Sequence, residues 1–240
     1  METSLTYQLF QSDNELEVPT LRLDRQPNVC DIPFLAYGEQ SRKTQMNGYG
    51  TLHFYVDDYR FNTIYDHPNK IVEINPKNIV EPNYSLFCET PIAFGLQHIY
   101  KKRAIARYCQ DHGIGVFVDL NVNHKFYKLN MLGVPRGYSS FCTRGYVERL
   151  EYLEFEYNIA KEWAEDNPLL FVVFGGGQKC RDFAAKHNCI YITPQIKLKA
   201  EEMRIKKIEQ EVAYSLFDST KLIVPRNLPM YDFRASDNVN

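Results

Sequence analysis

Short segments rich in β-branched and aromatic residues alternate along the chain with longer segments of helical periodicity. Six strand-like segments are predicted, at residues 52–56, 79–80, 116–118, 138–142, 171–174 and 190–192. Helical segments separate or follow them, at residues 90–113, 146–166, 177–188 and 198–217. Strands that are connected through helices usually lie parallel, because a parallel pair needs a long crossover connection. The alternation therefore predicts an α/β fold with a mainly parallel sheet.

Two architectures fit six strand–helix units in a chain of 240 residues. One is a partial or distorted (β/α) barrel, and the other is an open doubly wound sheet. Several predicted strands run into polar residues of similar type, such as Asp57 after the first strand and Asp119 after the third. This repetition favours the barrel-like arrangement, in which all strands end at the same rim.

Regular structure is concentrated in the middle of the chain. Residues 1–47 contain loop signals, including Pro27 and Pro33, and are predicted to form a loop-rich N-terminal extension. Residues 48–195 carry the predicted strands and form the predicted α/β core domain. Residues 196–240 are predicted to hold a C-terminal helix and a tail with a polar end. Whether the extension covers the sheet is left open.

The composition indicates a globular, soluble protein. Hydrophobic residues make up 44% of the chain, which is enough to bury a sizeable core. The six cysteines are scattered without a CxxC pair, which favours free thiols over disulfides or a zinc site. The chain has neither a membrane-spanning apolar run nor a signal sequence, so we expect a cytoplasmic protein with no membrane partner. The net charge of −2 restricts any nucleic-acid contact to a local patch.

Polar residues and glycines follow most of the predicted strands, and ligands gather at such strand ends in parallel α/β folds. The candidate binding residues are Asp57, Asp58, Asn83, Ser85, Asp119, Asn121, Asn123, His124, Arg144, Gly175, Gly176 and Gly177. Because parallel strands end at one rim, we expect these residues to lie near one another. Asp57, Asp119 and His124 are the candidate catalytic residues among them.

The aspartates at the first and third strand ends suggest a metal site. Mg²⁺ and Mn²⁺ prefer hard oxygen ligands, and Asp57 and Asp119 are the predicted ligands of such an ion. Alternatively, one of these carboxylates could act as a general base. A further alternative is that they only cap turns, and the sequence does not decide which of Asp57 and Asp58 faces a pocket.

The segment that follows the third predicted strand has alternating polar residues. If the strand continues, Asp119, Asn121 and Asn123 lie on one face, as either a binding surface or an exposed strand face. His124 could exchange protons near neutral pH, although a single histidine is often structural.

A glycine run follows the fifth predicted strand. Gly175, Gly176 and Gly177 lead into a helix whose free N–H groups could bind an anion, with Lys179 and Arg181 nearby. The alternative is a tight turn that needs glycine for its backbone conformation. The run matches neither the Walker A pattern nor GxGxxG with its downstream acid.

Basic residues cluster on the first long helix. Lys101, Lys102, Arg103 and Arg107 are predicted to contact a nucleic-acid backbone, and neighbouring tyrosines could stack on bases. A second basic group, Arg204, Lys206 and Lys207, lies on the last predicted helix. The alternative in each case is the solvated face of an amphipathic helix.

Several of these features together resemble a family of uncharacterised proteins. They are the opening run of residues 52–61 with Asp57-Asp58-Tyr59, the Pro-Asn-Tyr-Ser of residues 82–85, Thr90-Pro91 before a helix with Tyr100 and Arg103, and residues 133–137. Over roughly residues 28–195 the chain is similar to a domain of unknown function found in phages, plasmids and other bacterial mobile elements. This chain has Asn121 to His124 where members often carry a tryptophan, and Arg144-Gly145 in place of their histidine-glycine.

The resemblance implies a mobile-element origin and points to DNA-related work or to interference with host machinery. The leading hypothesis is a nucleic-acid or nucleotide processing protein of phage or plasmid replication, dependent on Mg²⁺ or Mn²⁺, with DNA, RNA or a nucleotide as its partner. The alternative is a non-catalytic protein that binds a host or phage protein through tyrosines and an acidic helix carrying Glu148, Glu151, Glu154 and Glu156. A small-molecule enzyme is the third hypothesis. The oligomeric state is left open.

Overall fold

The computed structural model describes residues 4–38, 46–194, 206 and 208–209. The seven strands of these residues are β1 (Phe34–Ala36), β2 (Thr51–His53), β3 (Asn78–Val80), β4 (Gly115–Asp119), β5 (Ser140–Arg144), β6 (Leu170–Phe174) and β7 (Ile190–Ile192). The α-helices with described bounds are α1 (Asn69–Ile74), α2 (Ile92–Asp111), α3 (Tyr127–Asn130), α4 (Leu150–Ala164) and α5 (Gly177–Lys186). None of the helices in these ranges is long and apolar enough to cross a membrane.

The strands form one sheet in which sequence order and spatial order are the same. Each strand pairs in parallel with the next one along the chain, from β1 through β7. A doubly wound sheet would reverse its order at a switch point, whereas a barrel adds every strand on the same side. The topology therefore confirms the predicted α/β fold and its barrel-like arrangement.

Aromatic contacts show that the sheet curls back on itself. The ring of Phe174 in β6 lies 5.4 Å from the ring of Phe34 in β1 and 4.6 Å from that of His53 in β2. In a flat sheet, four strand spacings would separate β2 from β6 by roughly 19 Å. Within the described ranges no strand pairing joins β1 to β7, so the barrel is curved but not fully closed. The rings of Phe34, His53 and Phe174 lie in its interior.

Two hydrophobic cores result from the alternation of side chains along the strands. The interior core contains Phe34, Tyr55, Val80, Phe117 and Val172, among others. The larger outer core lies between the sheet and the helices. In β4, Val116 and Val118 belong to the outer core, whereas Phe117 belongs to the interior one. Both faces of the sheet are thus covered, as parallel sheets require.

The N-terminal residues contribute a strand that the sequence analysis did not predict. β1 has three residues, too few to show an alternating pattern. Leu5, Val18 and Leu21 are buried, and the side chain of Gln26 accepts a hydrogen bond of 2.7 Å from the N–H of Ser139, just before β5. Residues 4–38 therefore pack onto the barrel, while the division of the chain at residues 47 and 195 stays a prediction.

Other elements differ from the sequence analysis in their details. Residues 58–64 form two 3₁₀ turns that are absent from the predicted elements, and so is α1, which begins just after Pro68. A helix tolerates proline at its start, where no intrahelical N–H is needed. By its internal contacts the chain forms one unit over residues 1–193 and another over 194–240. The helix predicted over 198–217 lies outside the described residues except at positions 206, 208 and 209, which are helical.

Candidate functional site

A cleft with a volume of about 630 Å³ lies at the carboxyl ends of β2, β3, β4 and β5. Its walls come from residues 55–57, Arg60, residues 83–89, residues 121–123, and the segment from Arg144 into α4. Each of these segments follows or completes a parallel strand, so the barrel topology brings them to one rim. The volume is within the range of ligand sites in proteins.

The cleft brings together half of the predicted strand-end residues. Those that line it are Asp57, Asn83, Ser85, Asn121, Asn123 and Arg144. Because parallel strands end at one rim, these residues were expected to lie near one another, and their shared position in the cleft agrees with that expectation. A role for any of them in binding stays a prediction.

Asp119 lies beneath the cleft and organises its loops. The carboxylate is fully buried, and its Oδ1 atom accepts a hydrogen bond of 3.0 Å from the Tyr55 hydroxyl. Its Oδ2 atom accepts one of 2.9 Å from the Asn83 amide, which also donates to the carbonyl of Asn121 at 2.8 Å. Asp119 thereby ties the loops after β2, β3 and β4 together.

A buried ionic network supports Asp119 from below. The Lys102 ammonium lies 3.5 Å from Oδ2 of Asp119 and 3.7 Å from Oε2 of Glu81. The Arg103 guanidinium donates to Oε1 of Glu81 at 2.6 Å and to the carbonyl of Asn130 at 2.6 Å. All of these side chains are at most 2% exposed. Two acidic and two basic groups therefore compensate one another inside the protein, as buried charges must.

This burial corrects the prediction that Lys102 and Arg103 contact a nucleic acid. Both lie on the inward face of α2, where their charges pair with Glu81 and Asp119 and where solvent does not reach them. Lys101 and Arg107 are half-buried on the same helix. Arg107 donates to the carbonyl of Thr20 at 2.7 Å. A nucleic-acid contact by Lys101 or Arg107 stays a prediction.

The two tandem aspartates have different environments. Asp58 accepts hydrogen bonds from the N–H and the hydroxyl of Ser85, at 3.0 and 3.1 Å, and so fixes the loop after β3. Asp57 lines the cleft with a side chain that is 71% exposed, and its Oδ2 atom lies 3.9 Å from Arg60. Asp57 is thus the one that faces the pocket. Among the described residues no cluster of three or more histidine, cysteine, aspartate or glutamate side chains is placed to hold a metal ion. The site predicted for Mg²⁺ or Mn²⁺ at Asp57 and Asp119 stays a prediction.

The strand end after β4 differs from the predicted polar row. β4 ends at Asp119, and the N–H of Val122 bonds to the carbonyl of Leu120 at 2.7 Å, which turns the chain. Asn121 and Asn123 reach the cleft from this turn and not from a strand face. The ring of His124 stacks on that of Tyr152 at 4.1 Å, beside a separate small cavity.

The glycine run is shaped by a tight turn. Gly175, Gly176 and Gly177 all have positive φ angles of 74° to 87°. A Cβ atom on Gly176 would collide with Cys180 and would lie 2.6 Å from the carbonyl carbon of Gly145. Lys179 lies in another surface depression beside Asp182. The turn alone explains the glycines, and the predicted anion site at them stays a prediction.

Two arginines at the cleft have guanidinium groups that pair with no carboxylate in the described part of the chain. Arg144 and Arg149 are exposed, and their guanidinium carbons lie 5.5 and 5.8 Å from the ring centre of Tyr146. Neither guanidinium group forms an ion pair or hydrogen bond with any other residue that the structure describes. The sequence analysis missed Arg149 and Tyr146 because both follow β5 only after a turn. The sequence feature that could have revealed them is the pair of arginines, Arg144 and Arg149, on either side of Tyr146 at the end of a strand.

Glu156 has a position that its sequence does not indicate. It is one of the acidic residues of the second predicted long helix, but its side chain points from α4 into the protein and is 7% exposed. Oε2 accepts a hydrogen bond of 2.6 Å from the Thr143 hydroxyl at the end of β5. Burial raises the pKa of this carboxyl well above its ordinary value, and the Thr143 bond only partly opposes the change. Burial therefore favours the uncharged form of this acid in the cleft wall.

Fold and site together define a barrel-like α/β protein with an arginine-bearing cleft at the carboxyl ends of its strands. Residues 10–191 match the model of a domain of unknown function (DUF4417), and the chain belongs to that family. It is 27% identical to the Gene 1 protein of Mycobacterium phage L5 over 184 residues, or 72% of this chain and 77% of that protein. It is 30% identical to the Gene 1 protein of Mycobacterium phage D29 over 115 residues, or 45% and 40% of the two chains. No solved structure matches the chain.

These relatives confirm the resemblance to an uncharacterised family of phage proteins. Their names state neither an activity nor a ligand.

Proposed function

We propose that the strand-end cleft binds the phosphate groups of a nucleic acid or a nucleotide, in a protein that processes such ligands for a phage or plasmid. The observation that carries the proposal is the pair of exposed, uncompensated guanidinium groups of Arg144 and Arg149 around Tyr146. Arginine binds phosphate through several donors of fixed geometry, and an aromatic face holds it without neutralising it.

The other ionisable groups of the cleft only partly offset these two charges. Arg60 lies near Asp57, at 3.9 Å. A hydrogen bond from Cys88 lowers the pKa of Glu89, which therefore keeps a negative charge in the cleft. Burial raises the pKa of Glu156 well above its ordinary value and so favours its uncharged form. The two charges of Arg144 and Arg149 therefore exceed the remaining charge of Glu89, and they favour an anionic ligand.

Much of the polar capacity of the loops is already used inside the protein. The amide of Asn121 donates to the side chain of Asn83 at 3.3 Å, and Asn83 donates to Asp119. These asparagines shape the cleft more than they recognise a ligand. Arginines and tyrosines are left as the main groups for contact, which suits phosphates and the faces of bases more than a particular base edge.

Replacing Arg144 and Arg149 with alanine is expected to weaken nucleotide binding at least about 10-fold, because a charge-assisted hydrogen bond contributes roughly 1.5–3 kcal/mol. The measurement is isothermal titration of the full chain with thymidine 5′-diphosphate and with a ten-residue oligothymidylate. Arg25→Ala is the matched control, since Arg25 is an exposed arginine in the segment that packs at the amino ends of the strands. Equal affinity of both variants, or no binding of either probe by the native chain, would refute the proposal.

The predicted Mg²⁺ or Mn²⁺ ion is compatible with this proposal, because such ions often bind together with phosphate groups. Mg²⁺ is often held by one or two carboxylates together with substrate phosphates, and Asp57 offers one exposed carboxylate in the cleft. We expect Mg²⁺ or Mn²⁺ to tighten the binding of thymidine 5′-diphosphate, and we expect Asp57→Asn to remove that gain. Titration with and without each metal measures it. A gain that persists in Asp57→Asn would exclude Asp57 as the ligand.

A further inference from the structure

Two exposed aromatic residues belong to the chain segments that form the cleft. Phe87 lines the cleft and is 64% exposed, and Tyr59 is 70% exposed, one residue before the cleft residue Arg60. The guanidinium carbon of Arg60 lies 5.7 Å from the centre of the Tyr59 ring. A large ring with this much contact to water does not gain the free energy that burial of its apolar surface would give. Exposed apolar groups of this kind often mark a binding site.

The loop that carries Phe87 is held in place by its backbone. The N–H of Phe87 bonds to the hydroxyl of Thr90 at 3.1 Å. The ammonium of Lys125 bonds to the carbonyls of Cys88 and Thr90, at 3.0 and 2.6 Å. A ring held in this way is a preorganised contact surface, which reduces the entropy lost on binding.

The loop of Phe87 is also tied to the turn of Tyr59. Asp58 precedes Tyr59 and accepts two hydrogen bonds from Ser85, which lies two residues before Phe87. The two segments that carry these rings are thereby linked to each other. Planar rings beside cationic groups are the usual means by which proteins bind single-stranded nucleic acid, because every base has a face that can stack.

We propose that the occupant of the cleft is a single-stranded nucleic acid, with bases stacked on Phe87 and Tyr59 and with backbone phosphates at Arg144 and Arg149. This rests on the proposed function and narrows its ligand class. In a duplex the base faces are already stacked on one another, so the two rings would have no face to bind. A free nucleotide has one base, whereas the rim offers two rings.

The test is the fluorescence anisotropy of labelled oligothymidylates of two, five and ten residues, titrated with the full chain at low salt. We expect affinity to rise with length and a ten-residue strand to bind at least about 10-fold more tightly than the same sequence in a duplex. Competition with unlabelled thymidine 5′-monophosphate compares the strand with a single nucleotide.

Phe87→Ala is expected to weaken binding of the ten-residue strand about 10-fold, since stacking on one ring has an effect of this size, and to leave binding of thymidine 5′-diphosphate within about 2-fold. Tyr59→Ala is expected to behave in the same way. Tyr49→Ala is the matched control, because Tyr49 is an exposed aromatic residue just before β2, at the opposite end of that strand. We expect this control to bind both probes as the native chain does.

The outcomes separate this inference from the proposed function. If single nucleotides bind as tightly as the ten-residue strand, or if Phe87→Ala and Tyr59→Ala have no effect, the single-strand inference fails while the phosphate cleft stands. Preference for the duplex also overturns it. If no nucleic acid or nucleotide binds at all, both proposals fall.

Discussion

Replacing Glu81 with glutamine is expected to lower the free energy of unfolding by about 3–5 kcal/mol, the usual cost of leaving a buried charge without its partner. Glu81 is fully buried and is 2.6 Å from Arg103 and 3.7 Å from Lys102. Its Oε2 atom also accepts a hydrogen bond from the N–H of Asp119. Glutamine keeps the size of the side chain but removes the charge. Urea unfolding at neutral pH measures the loss.

Glu162→Gln is the control for this prediction. The Glu162 carboxylate lies 3.3 Å from Arg136, but this pair is at the surface, with side chains that are 50% and 68% exposed. Exposed pairs contribute about 0–1 kcal/mol, so the same substitution should change little here. A second check combines Glu81→Gln with Arg103→Met, which we expect to cost less than the sum of the two single changes. Similar losses for Glu81→Gln and Glu162→Gln would contradict the buried network.

Glu156→Gln is expected to make the protein more stable at neutral and alkaline pH, and the gain should grow as the pH rises. Burial raises the pKa of Glu156 well above its ordinary value of 4.5, so the folded state holds this proton where the unfolded state has released it. The stability from the neutral carboxyl is fully present below pH 4.5 and is lost as the pH rises through the folded pKa. Between pH 4.5 and the folded pKa, the free energy of unfolding of the variant should rise relative to that of the native chain by up to about 1.4 kcal/mol per pH unit.

The measurement is urea unfolding of both proteins at several pH values between about 4.5 and 8. Glutamine can accept the hydrogen bond from Thr143 as the acid does, so the packing should persist. Glu154→Gln is the control, because Glu154 lies on the same helix but is exposed. We expect that variant to follow the pH dependence of the native chain. If Glu156→Gln also follows it, Glu156 is ionised in the folded protein and the cleft has no neutral acid.

Local patterns in the sequence were sufficient for the main elements of the fold. The predicted strand at 190–192 coincides with β7, and the strand at 171–174 misses only the first residue of β6. The long helix predicted over 90–113 is α2, which is about two residues shorter at each end. These elements are set by hydrophobic periodicity, which acts within a few positions along the chain. β1 was missed because a three-residue strand is stabilised by its pairing with β2 and not by its own pattern.

Half of the predicted strand-end residues lie in the cleft for a related reason. Asp57, Asn83 and Arg144 lie in the cleft because parallel strands in a barrel all end at one rim. That rule depends on topology alone and needs no coordinates. It also selected His124 and the glycines, which turn away from the cleft because the local chain bends after the strand.

By itself, the sequence determined the α/β class and the rim where polar groups gather, and it favoured a barrel over an open sheet, since these follow from local patterns and from the rules of parallel sheets. Only the tertiary structure decided which charges are buried. Lys102 is inside because Glu81 and Asp119 approach it from β3 and β4, and Glu156 is inside because Thr143 meets it from β5. The burial of a charged group depends on partners that are distant in sequence, and no local pattern encodes them.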